Sequence, residues 1–171
     1  MNKDGPSFCS YVRDATQSLI VSRIKDIEFH LTHKVISDIF GISNSGQNVF
    51  GDKWFEELGI DPTNVYKLLF KSNVYDFVSS NLLPTPKMLN GIRQHSVLPR
   101  NGNFQQVNPN DLLIMYHLFL KEKLTLCHIL IHNMINVIQG WNKKSCLPYG
   151  MALTKKFIKF LIPFEAEKSS F

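Results

Sequence analysis

Residues Val107–Gln139 read VNPNDLLIMYHLFLKEKLTLCHILIHNMINVIQ, and this stretch decides the fold. Asn108 offers a side-chain oxygen to the free N–H groups of a helix start. Pro109 sits where a helix needs no N–H donor, and Asp111 puts a carboxylate in the first turn. Behind this cap, LLIMYHLFL is apolar almost all round, which predicts a central buried helix. Lys121-Glu122-Lys123 makes a polar turn. The next helix, about Thr125 to Gln139, places Cys127, Leu130, Ile131, Met134 and Ile138 on one stripe. Thr125, His128, His132, Asn136 and Gln139 form the opposite stripe at spacings of three and four. Leu124–Asn142 carries no formal charge and is long enough to span a bilayer. Its polar stripe instead marks an amphipathic bundle helix, so no membrane span is expected.

Toward the C-terminus, Leu147-Pro148-Tyr149-Gly150 leads into MALTKKFIKFLI, which Pro163 stops. Leu153, Phe157, Phe160 and Leu161 are expected to face inward, with Lys155, Lys156 and Lys159 outward. Toward the N-terminus, Pro84-Thr85-Pro86 starts a helix running to about His95. Asp61-Pro62 opens another, burying Val65, Leu68 and Leu69. Asp52 is the expected N-cap of a short helix with Phe55 and Leu58 inward and Gly59 closing it. Thr32 caps HKVISDIF, and Gly41 ends it. Asp26–Leu31 alternates as DIEFHL, a strand signal, whereas TQSLIVSRIK (Thr16–Lys25) fits a short strand or a helix equally. The expected architecture is a mainly α, compact, bundle-like single domain with one small β-strand pair near the N-terminus. Residues 1–26 are expected to be loosely ordered, 27–165 to form the helical domain, and 166–171 to be a tail.

With 44% hydrophobic residues and 13 Phe in 171 residues, the chain has the material for a proper core. Its three cysteines, Cys9, Cys127 and Cys146, are too few and too scattered for a disulfide framework. A reducing compartment, cytoplasm or nucleus, follows as the expectation, and MNKDGPSFCS lacks the apolar run of a secretory leader. The net charge of +5 is unevenly placed. Residues 1–120 hold eleven basic and eleven acidic side chains, whereas residues 121–160 hold seven lysines against Glu122 alone. Lys143, Lys144, Lys155, Lys156 and Lys159 are candidate phosphate contacts without base specificity, with Trp141 and Tyr149 as stacking surfaces. The plainer reading of the same lysines is a solvated face that keeps an apolar bundle soluble, and core packing explains Trp141 and Tyr149 equally well.

No catalytic, cofactor-binding or metal constellation is expected. His128 and His132 share a helix face as metal ligands do, but Ile129 stands where a zincin carries glutamate, and the sequence places no third ligand nearby. An aspartic protease needs an Asp-Thr/Ser-Gly triplet, and none is present. A zinc knuckle needs closely spaced cysteines, and an acidic-triad nuclease needs three carboxylates on a stranded scaffold. Cys127 lies on an apolar stripe and reads as a buried, inert thiol. HKVISDIFGIS has the outline of the first half of a helix-turn-helix, but the loop NSGQNVFG follows in place of a recognition helix.

Several blocks together resemble a known family. LPRNGNFQQVNPNDLLIMYHL (Leu98–Leu118) and LPYGMALTKKF (Leu147–Phe157) resemble the putative plant transposon protein domain. HKVISDIFGISNSGQNVFGDKWFEELGID (His33–Asp61) resembles the envelope-like proteins of plant LTR retrotransposons, and the likeness runs from about Phe29 to Phe160. The resemblance implies a retrotransposon-derived protein and that HKVISDIF packs as the family's N-terminal helix. The family has no established catalytic residues to carry over. Two functions remain open: a non-enzymatic domain that binds protein partners or itself, and a basic nucleic-acid-associated module.

Overall fold

The fold is that of a computed structural model, which describes residues 9–14, 19–24, 27–72, 76–98 and 104–138. Three short strands come first: β1 (Cys9–Asp14), β2 (Leu19–Ile24) and β3 (Ile27–Leu31). They form one antiparallel sheet in the order β1-β2-β3, one strand more than the expected pair. Two of these strands fall inside the 1–26 segment that was expected to be loosely ordered. A strand there depends on pairing with its neighbour, and Tyr11 faces Val21 as Ile20 faces Leu31. The ambiguous TQSLIVSRIK run is thus a strand over Leu19–Ile24.

Helices follow. In α1 (His33–Phe40) the Thr32 hydroxyl accepts from the Val35 N–H, and Gly41 closes the helix at φ 64°. Glycine takes that left-handed conformation without a Cβ penalty. The short α2 (Trp54–Glu57) starts at Lys53 with no side-chain cap, so Asp52 is not its N-cap. Its anchor is Trp54, which is fully buried and donates from Nε1 to the Pro109 carbonyl at 3.0 Å. In α3 (Pro62–Leu69) Asp61 accepts from the Thr63 N–H, as its sequence implies, and Val65 and Leu69 are buried.

Helix α4 (Pro84–Ile92) continues into a π-helical turn over Arg93–Val97, closed by a Leu98 N–H to Arg93 carbonyl bond at 2.9 Å. Arg93 enters the core on the same helical face as the buried Pro86 and Asn90. Helix α5 (Pro109–Leu120) carries the expected reciprocal cap. Asn108 Oδ1 accepts from the Asp111 N–H at 2.9 Å, and Asp111 Oδ2 accepts from the Asn108 N–H at 2.8 Å. Leu112 to Met115 are buried, but Leu118 and Leu120 are exposed, so α5 is central in its first turns only. Lys121 ends it in a left-handed conformation, φ 58°.

Helix α6 (Leu126–Ile138) divides the interior. Ile129 packs into a cluster built from α2, α3 and α5, with Trp54, Leu69 and Leu113 among its members. Cys127, Leu130, Ile131 and Met134 face a second cluster with Ile20, Leu31 and Ile36. The apolar stripe is therefore wider than the sequence spacing implies, because α6 is buried on two sides. Among the described residues no helix is long and apolar enough to cross a membrane.

Candidate functional site

A cluster of three histidines at α6 and a single buried histidine on α5 mark two candidate sites. The first lies where α6 meets α1. His128 and His132 sit one turn apart with ring centroids 4.2 Å apart, and His33 of α1 lies 5.4 Å from His128. Phe50 stacks on His132 at 5.5 Å. The α6 face that spacing marked as polar is half-buried beneath α1 and the loop before α2, and Thr125 is fully buried. Sequence spacing shows the His128–His132 pair, but the third ring comes from a distant helix and only tertiary packing supplies it.

Burial holds all three imidazoles toward the neutral form. His128 is pushed down to about 4, mainly by desolvation and then by repulsion from His132 and His33. His33 is lowered by burial, and His132 by burial and then by His33. The rings pack on one another at tilts of 46° and 48°. Among the described residues no group of three or more His, Cys, Asp or Glu is placed to hold a metal ion. Cys127, nearby on α6, is buried, and burial pushes its thiol pKa up, away from the reactive thiolate.

This cluster sets an acid response. The unfolded chain takes up protons at the ordinary imidazole value, while the folded cluster resists them until lower pH. The unfolded state therefore binds more protons between these limits, and stability falls as pH drops from about 6.5 toward about 4. Urea unfolding at pH 7 and pH 5 is expected to show the native chain losing more than His128→Leu, by about 1–2 kcal/mol after allowance for the ring's remaining solvent contact. Equal losses in the two proteins would remove the cluster from the pH response.

The second site centres on His117, which is buried on α5. Its Nδ1 lies 2.8 Å from the Leu113 carbonyl oxygen. The ring lies beside Trp54 and Tyr116, and His117 is among the residues lining a cleft of about 480 Å³. Ile42, Ile114, Leu118, Leu124 and Leu126 supply most of the remaining wall. Sequence reasoning assigned His117 only to the buried helix.

Between the end of α4 and the first turn of α5 lies an ion pair that the sequence did not reveal. Arg93 Nη1 lies 2.6 Å from Asp111 Oδ1, with both side chains at 0% exposure. Asn90 accepts from Arg93 Nη2 at 2.8 Å. The candidate nucleic-acid residues Lys143, Lys144, Lys155, Lys156 and Lys159 lie outside the described residues, as do Trp141, Tyr149, Cys146 and the segment MALTKKFIKFLI, for which a helix was expected.

No curated protein and no solved structure matches this chain. A family model described as "Putative plant retrotransposon-related domain" matches residues 6–163. That span takes in the sheet, the capped α5, the histidine cluster on α6 and the lysine-rich segment, so the chain belongs to this plant retrotransposon-related family.

Proposed function

We propose that this retrotransposon-related domain is non-enzymatic and works by binding protein, with self-association as the form to test first. The envelope-like kinship of His33–Asp61 belongs to the same reading. One observation carries it: an apolar strip on the outer side of α4. Met88 is 61% exposed and Ile92, one turn on, is 53% exposed. His95 continues the strip and stacks on the exposed ring of Phe104, with centroids 6.4 Å apart. Large apolar side chains grouped on one exposed face mark an interaction surface more often than isolated ones do.

Size-exclusion chromatography with light scattering tests the reading. The native chain is expected to associate as its concentration rises, and Met88→Glu/Ile92→Lys to stay monomeric with an unchanged urea midpoint. A native chain that is monomeric throughout would remove self-association, and the same pair of variants would then be compared for capture of plant proteins. Equal capture by both would end the reading.

The lysine excess of residues 121–160 supports a second reading, a basic nucleic-acid-associated module. Retention on DNA and RNA that weakens with salt, and that is lost on replacing Lys143, Lys144, Lys155, Lys156 and Lys159 by glutamine, would favour it. No retention at low salt would dismiss it.

A further inference from the structure

We propose that the cleft between α5, the α5–α6 turn and residues Ile42–Ser45 binds a small, uncharged, largely apolar molecule whose single hydroxyl donates a hydrogen bond to His117 Nε2. Its volume of about 480 Å³ falls within the roughly 300–1,000 Å³ of small-molecule sites. Five aliphatic side chains line it, while Glu122 and Lys123, both exposed, bring opposite charges that leave no net preference for an ion.

His117 supplies the polar contact. A carbonyl oxygen only accepts, so the 2.8 Å approach of Nδ1 to the Leu113 carbonyl selects the tautomer with its proton on Nδ1. Nε2 is then a lone-pair acceptor. It is buried and has no hydrogen-bond partner among the described residues, in a side chain only 1% exposed. A buried acceptor left unmatched is costly and uncommon, and a ligand hydroxyl would satisfy it. His117 lines the cleft while its Nε2 is shielded from solvent, so access requires a neighbouring side chain to turn aside. Leu118, 47% exposed at the rim, has the solvent space to do so.

The cleft is also preformed. Gln47 donates to the Lys123 carbonyl at 3.0 Å, and the Thr125 N–H donates to the Gln47 carbonyl at 3.1 Å. These two bonds tie the segment after Ile42–Ser45 to the α5–α6 turn, which fixes opposite walls before anything binds.

Two probes that differ by one hydroxyl test the proposal: 2-naphthol and naphthalene, titrated into the full chain. The expected result is saturable binding of 2-naphthol, about tenfold tighter than naphthalene, as one buried hydrogen bond implies. The 15N signal of His117 Nε2 should move with 2-naphthol only. His117→Phe should level the two affinities, and Leu118→Arg at the rim should abolish both without shifting the urea midpoint. Should His117→Phe fail to fold, the native protein's Nε2 signal and probe preference still decide. Equal binding of the two probes, no saturable binding of 2-naphthol, or an unmoved Nε2 signal each overturns the proposal.

Discussion

Asp111→Leu is expected to destabilise the fold by about 3–5 kcal/mol, the range found when one partner of a buried ion pair is removed. The pair with Arg93 is completely excluded from solvent, so the substitution strands a guanidinium in the core. It also removes the acceptor for the Asn108 N–H and with it half of the α5 cap. Arg93→Met should cost a similar amount, because it leaves the Asp111 carboxylate buried without its counter-charge. The double variant Arg93→Met/Asp111→Leu should lose clearly less than the two singles added together, since neither charge is then left alone. Urea unfolding of the four proteins measures this coupling. Additivity within about 0.5 kcal/mol would mean that the two side chains act independently.

Asn108-Pro109-Asn110-Asp111 shows how far the sequence could be read and where it stopped. Its capping role is local, since the residues that bond to one another lie three apart, and the sequence shows it directly. The same holds for Thr32 with Gly41 and for Asp61 with Pro62. The motif's other roles are long-range. The Asn110 side chain accepts from the Gly51 N–H at 2.7 Å, the Pro109 carbonyl accepts from Trp54, and Asp111 meets Arg93. No spacing rule reports a partner that far along the chain. Arg93 was harder still: it shares the inner helical face of Pro86 and Asn90, but an arginine reads as a surface residue until its counter-charge on α5 is known. The candidate site divides in the same way. His128 and His132 were legible as a pair, whereas His33, and the acceptor on His117, became visible only once the helices had packed.

Gly46→Ala is expected to be the most damaging substitution outside the core, with a loss of about 2–5 kcal/mol from backbone strain and overpacking together. Gly46 holds φ at 130°, a conformation that side chains with a Cβ rarely adopt. A Cβ there would also meet the backbone carbon and oxygen of Lys123 at 2.6 Å and the Leu124 nitrogen at 2.8 Å. These neighbours are main chain and cannot rotate aside. The close approach lets Gln47 bridge to the α5–α6 turn, where Lys121 already occupies a left-handed conformation. Pushing the two segments apart would break both Gln47 backbone hydrogen bonds and open the wall shared by Ser45 and Leu124. Hydrogen exchange separates this local effect from global unfolding. Below the unfolding transition, the Gln47 and Thr125 amides should lose protection in Gly46→Ala, while those of Leu113 and Ile114 in α5 keep theirs. Unchanged protection at Gln47 and Thr125 would show that the loop accommodates a methyl group, and that the approach to Lys123 contributes little to the fold.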